Sequence, residues 1–223
     1  MAFLAWVIAP WLADRLDGSS QLPKALLLCL TAGLIWQFVL VAILVAREQR
    51  SLRWSHVRRA LWLQTPRSPT GRRGGRIWLL LIPLILAFGA EELVPQIHHA
   101  VNRDFPAFLD SHAGHVFLGG SWGWFAVIAV LAVFNTVLGE ELLFRGLLLP
   151  RMNGAFGRRD WVANGVLFAA YHLHMPWVIP ATLLDTFILA YPAKRYRSAL
   201  IGIAVHSVQS VVLLAITLAL VLG

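Results

Sequence analysis

Two adjacent glutamates, an arginine four residues on, and two histidines further along lie inside stretches that are otherwise apolar: Glu140, Glu141, Arg145, His172 and His206. On membrane-insertion scales each such acid or base near a helix centre costs about 2.5 to 3.5 kcal/mol. Together they approach the net stability of a whole domain, on the order of 5 to 15 kcal/mol, so each needs a partner or a task. Neighbouring residues diverge by about 100° around a helix, which gives Glu140 and Glu141 separate roles. Glu141 and Arg145, spaced i and i+4 with the acid N-terminal, suit an intrahelical ion pair that supports the site and leaves Glu140 without a local cation. A lone carboxylate in an apolar cavity is poorly solvated as the anion, the condition under which it serves as a general base. Glu140 would take a proton from a water that His172 orients, and the hydroxide would attack a carbonyl carbon. His206 would donate to the developing oxyanion, and Ser210, one turn away, would add a second donor.

Three helices have to bring these groups together. Glu140 lies ten residues before Pro150, His172 eleven after Trp161 and His206 seven after Ala199. At about 1.5 Å per residue these are depths of roughly 15, 16 and 10 Å from helix ends on one face, nearly one level.

The composition requires a membrane around them. Of 223 residues, 58% are hydrophobic and 13% charged, more apolar surface than a soluble chain of this size can bury. A bilayer core about 30 Å thick needs roughly 20 helical residues per crossing. Six stretches qualify or nearly do: 22–46, 77–95, 122–149, 161–173, 177–193 and 199–222. The fourth and fifth are short, and 1–13 is either an interfacial helix or a further crossing. The expectation is an all-α polytopic membrane bundle of six to eight segments, one integral domain over 1–223 with its chemistry in 121–212.

Charge placement orients it. Nine Arg fall in the loop 47–76, and Arg151, Arg158, Arg159, Lys194, Arg195 and Arg197 fall in loops on the same side. Positive loops stay cytoplasmic, which predicts an inner-membrane protein with the site opening to the cytoplasm. The net charge of +8 is therefore topological, and no nucleic-acid partner is implied. Trp54, Val57 and Leu61 at helical spacing predict a short helix lying on an anionic leaflet. The one cysteine, Cys29, excludes an internal disulfide or a multi-Cys zinc site.

The motifs resemble a known family. Gly139-Glu140-Glu141-Leu-Leu-Phe-Arg145-Gly146 looks like the EExxxR signature of the type II CAAX prenyl endopeptidases, the CAAX protease and bacteriocin-processing family of bacteria. Phe168-Ala-Ala-Tyr-His172 is similar to its FxxxH motif. His206 with Ser210 corresponds to a third motif, a histidine followed four residues later by asparagine, with serine here in place of the amide. The resemblance implies a glutamate-dependent intramembrane peptidase cleaving near the C-termini of membrane-associated proteins or peptides, prenylated or not. By that resemblance Glu140 and His172 activate water, His206 with Ser210 stabilises the oxyanion, and Glu141 and Arg145 support them. The compact chain, rich in Ala, Leu, Arg and Trp, reads as bacterial.

Rival readings use the same residues. Glu140, His172 and His206 would make a His₂Glu set for catalytic zinc. The HExxH motif is missing, however, and a ligating Glu140 would leave no general base, so metal-free chemistry without a cofactor is the preferred reading, with zinc the alternative. A non-catalytic immunity or scaffold protein, or a small transporter with a proton relay, is the alternative class, and Glu140→Gln discriminates them. There is no Gly-x-Ser-Gly for a serine nucleophile, and Asp185 has no second intramembrane aspartate to pair with. Glu91-Glu92, followed by Gln96 where an arginine would stand, reads as solvated at the far membrane face. His98, His99, His112 and His115 read as solvated loop histidines. His174, nearly opposite His172 on a continuous helix, is left outside the site.

Overall fold

A computed structural model of the protein describes residues 1–71, 74–95 and 101–223. His98, His99 and Gln96 lie outside the described residues, as do Arg72 and Arg73 of the basic loop. The described residues form helices without a strand: α1 (Leu4–Ala13), α2 (Gln21–Gln49), α3 (Trp54–Ala60), α4 (Leu81–Gly89), α5 (Phe105–Leu109), α6 (His112–Leu118), α7 (Trp122–Arg151), α8 (Asp160–Tyr171), α9 (Ile179–Thr182), α10 (Tyr191–Tyr196) and α11 (Ala199–Leu222).

Among the described residues α2, α7 and α11 are the helices long and apolar enough to cross a membrane. The expected count of six to eight segments is not confirmed among the described residues. Stretch 77–95 begins as a 3₁₀ turn, Gly75–Leu80, continues as α4 and ends in a second 3₁₀ turn, Ala90–Leu93. Stretch 177–193 is broken into four pieces, and Pro176, Pro180 and Pro192 each sit in the first turn of one of them. Proline supplies no N–H to the preceding turn and is best tolerated in the first turn of a helical segment, so these residues interrupt the regular hydrogen-bond ladder of what hydropathy alone reads as one span.

The long helix α7 packs between α2 and α11. Near one end Leu27, Ile128 and Val221 meet Phe108, Phe117 and Leu118 from α5 and α6. At the other, Val41 and Val45 close on Leu142 and Leu147, and Leu61 is buried with them. Leu61 and Val57 of the basic loop therefore face the helices, and Trp54 alone of the expected lipid-facing trio is strongly exposed. Another cluster joins Ile188, Leu189, Ile201 and Val205 to Leu81, Leu84, Ile85 and Phe88 of α4. The outward faces stay apolar: Ile35, Trp36 and Val39 on α2, Ile82 and Leu86 on α4, Val211, Val212 and Ile216 on α11. A girdle of this kind suits acyl chains and not water.

Polar ties fix the loops that carry the site helices. Asp160, buried at the start of α8, accepts from the N–H groups of Gly154 and Phe156 at 3.0 and 3.1 Å and from Lys194 Nζ at 2.6 Å. Burial alone would raise this carboxyl, but the Lys194 hydrogen bond, the two backbone donors and the ammonium charge hold it below the ordinary Asp value. On the same face the Ser198 hydroxyl donates to the Gln64 carbonyl at 2.6 Å, and Arg67 N–H donates to the Tyr196 carbonyl at 2.9 Å, which ties the basic loop to the α10–α11 turn.

Candidate active site

The middle of α7 is wound as a π-helix, Val133–Leu148, a form that in short stretches marks functional positions. A Cβ at Gly139 would run into the Phe134 carbonyl oxygen, so the widened turn needs glycine just ahead of Glu140. The two glutamates that follow part company. Glu140, 2% exposed, lines a cavity of about 150 Å³, and its Oε2 has no hydrogen-bond partner among the described residues. Glu141 does not line that cavity. Its Oε1 lies 3.0 Å from Arg145 Nη1 and accepts from His206 Nδ1 at 3.2 Å, all three residues being buried.

Gly202, one turn before His206 on α11, makes that junction possible. A methyl group there would overlap Glu141 Oε2. Glycine lets the acid of α7 approach the backbone of α11, and His206 is steered by the carboxylate that fills the gap.

His172 reaches the cavity from the end of α8. Its Nδ1 donates to the Phe168 carbonyl at 2.9 Å; a carbonyl can only accept, so Nδ1 carries a proton and Nε2 keeps its lone pair in the neutral ring. Phe168 has a second task, because the Arg145 guanidinium carbon stands 4.1 Å from its ring centre. The same ring packs edge-on against His172 at 4.7 Å and His206 at 6.1 Å. One aromatic side chain thus joins residues of all three motifs.

Glu140, His172 and His206 therefore share one cavity, large enough for several waters. Ser210 does not join them. Its hydroxyl donates to the Ala132 carbonyl and lies near Thr136 Oγ1, both at 3.1 Å, and it is not part of the lining. The expected second oxyanion donor is thus turned toward α7, since a short side chain on this face meets that helix first. Two carboxamides line the cavity instead: Gln209, three residues after His206, and Asn135, five before Glu140. Among the described residues no three His, Cys, Asp or Glu side chains are grouped closely enough to hold one metal ion.

Sequence reasoning also left out groups that the structure brings in. His174 is a lining residue and stacks on His172, with ring centres 5.4 Å apart and planes 27° apart. Helix α8 stops at Tyr171, and His172–His174 is a 3₁₀ turn, so opposite faces of a continuous helix never arise. Pro176 was the available signal, because the residue before proline avoids helical backbone angles. Glu91 and Glu92, expected to be solvated at a far helix end, line the same cavity, and Glu91 lies beside Asp185, which is 2% exposed. Asp185 does have an acidic neighbour, although not an aspartate. Of the loop histidines, His112 and His115 are exposed on α6, as expected.

Residues 122–212 match the family model described as type II CAAX prenyl endopeptidase Rce1-like. No curated protein and no solved structure matches the chain. The match bears out the resemblance read from the three motifs over the same stretch. With the three long apolar helices, it makes the chain an integral membrane protein.

Proposed function

We propose, with the Rce1-like match over 122–212 as premise, that the protein is an intramembrane peptidase in which Glu140 activates water against a peptide carbonyl. One observation carries the reading. Glu140 presents an unpartnered carboxylate oxygen to a cavity that it shares with His172, whose Nε2 is left free because Nδ1 is occupied. His172 Nε2 accepts from the water, and Glu140 removes its other proton. The hydroxide adds to the carbonyl carbon, the tetrahedral intermediate breaks its C–N bond, and Glu140 returns the proton to the leaving amine. His206, carrying protons on both nitrogens, donates from Nε2 to the oxyanion while Nδ1–H stays on Glu141, and Arg145 holds Glu141 in place. With the Ser210 hydroxyl engaged elsewhere, the second oxyanion donor is the carboxamide of Gln209.

No metal is required by this scheme. Substrates are the C-terminal regions of membrane-associated peptides or proteins, in a bacterial cell membrane. Charge bookkeeping puts the Arg-rich loops in the cytoplasm. The exposed members of the lining, however, are Glu92, Pro95 and Gln209, beside the end of α4 and part-way along α11. That position favours access from the lipid side over a cytoplasmic opening.

The test is a mass-spectrometric screen of detergent-purified wild type and Glu140→Gln against a peptide library, with and without a strong chelator. Cleavage by wild type alone, unaffected by chelator, is the expected result. Cleavage by both proteins equally, or activity lost to chelator and restored by zinc, overturns the scheme.

A further inference from the structure

The hydrolytic scheme uses only one of the four carboxyl groups that line the cavity. Glu91, Glu92 and Asp185 are the others, and among the described residues no Lys or Arg lines it. The nearest guanidinium, Arg145, is fully buried and already paired with Glu141. Glu91 and Asp185 share a side-chain hydrogen bond, which leaves Oδ1 of Asp185, a residue 2% exposed, and the buried Oε1 of Glu91 without a partner among the described residues. His206, protonated in the proposed scheme, also lines the cavity but is engaged by Glu141, so a buried acid oxygen beside it still gains from a counter-charge brought by a ligand, and the irregular backbone of 176–190 places Asp185 where a ligand can supply it. Glu92, exposed near the mouth, extends the same negative field outward.

We propose that Glu91, Glu92 and Asp185 form a subsite for a cationic group of the substrate, an ammonium or guanidinium held beside the scissile bond. The subsite rests on the peptidase reading and adds a specificity to it: peptides with a basic group near the cleaved bond are preferred over neutral ones of equal size. Lysine or arginine side chains and a free α-amino group share this chemistry.

Binding separates the subsite from catalysis. Fluorescent alanine-rich hexapeptides with lysine scanned through each position, and their norleucine counterparts, are titrated against detergent-purified Glu140→Gln, each with a free or acetylated N-terminus. At one or two positions the lysine peptide is expected to bind about tenfold more tightly than the norleucine peptide. A preference that survives acetylation identifies a side chain, and one that vanishes with it identifies the α-amino group. Asp185→Asn and Glu92→Gln, each added to that background, should reduce the ratio at least threefold. Because Glu92 is exposed, its variant keeps the readout if Asp185→Asn does not fold. Equal binding of both peptides at every position, or a ratio that neither variant moves, overturns the subsite. A retained lysine preference with no hydrolysis by wild type would sink the peptidase reading and leave the cation site standing.

Discussion

Neutralising one or the other of two adjacent glutamates should have opposite consequences. Glu141→Gln keeps size and shape but leaves Arg145, with no exposed surface, facing an amide where it had a carboxylate 3.0 Å away. Removing one partner of a buried ion pair costs about 3–5 kcal/mol, because the remaining charge is neither solvated nor compensated. In a chain of this size 1 kcal/mol moves the melting temperature by roughly 2–4 °C, so a fall of roughly 6 to 20 °C is expected. Arg145→Met added to Glu141→Gln should recover most of that loss, since a buried pair replaced by apolar or neutral groups is often near neutral. Glu140→Gln removes a carboxylate whose Oε2 has no hydrogen-bond partner among the described residues. Its melting temperature should stay within roughly 4 °C of wild type, a change of about 1 kcal/mol or less, while turnover falls roughly 10²- to 10⁴-fold. Thermal unfolding in detergent and peptide hydrolysis on the same preparations give both numbers. Equal melting losses for the two single variants, or no rescue by Arg145→Met, would refute the division of labour drawn from the geometry.

Gly202→Ala places a methyl group against Glu141 Oε2; overpacking of this kind costs about 1–3 kcal/mol, and a kcat lowered with KM little changed should accompany the fall in melting temperature as His206 is displaced. Gln209→Leu should lower kcat roughly 10- to 100-fold, whereas Ser210→Ala should leave kcat within about twofold and cost stability alone, about 1 kcal/mol for its hydrogen bonds, as read by hydrolysis and melting curves. Asp160 lies below its ordinary value in the fold, so its contribution is complete above about pH 3.9 and is lost as pH falls through the lower folded value. Melting curves of wild type and Asp160→Asn should therefore differ at neutral pH and draw together as pH falls below the ordinary Asp value, and a gap that stays constant throughout the acid range would contradict the Lys194 assignment.

Much of the site was legible because its residues are expensive where they stand. Intramembrane acids and imidazoles announce themselves against apolar neighbours, and the Glu141–Arg145 spacing named its own partner. The i and i+3 relation of His206 and Gln209 is equally readable on a helix, but Ser210 at i+4 meets the same geometric test, and spacing alone does not separate the two. Asn135 was not readable. Five residues on an α-helix bring it well away from Glu140, and only the π-wound turn lets both line one cavity. The six expected spans came from hydropathy, which registers burial but not continuity. Prolines at 176, 180 and 192 carried the contrary information, and with them the inclusion of His174 and Asp185 in the lining.

The Phe168 ring lies under the Arg145 guanidinium and against both site histidines, so the three sequence signatures do not vary independently. A smaller residue there would loosen the anchor of one signature and the orientation of the other two at once, and single losses at these positions would fail to add. Homologues that have exchanged this phenylalanine should have altered the arginine, or the packing around both imidazoles, along with it.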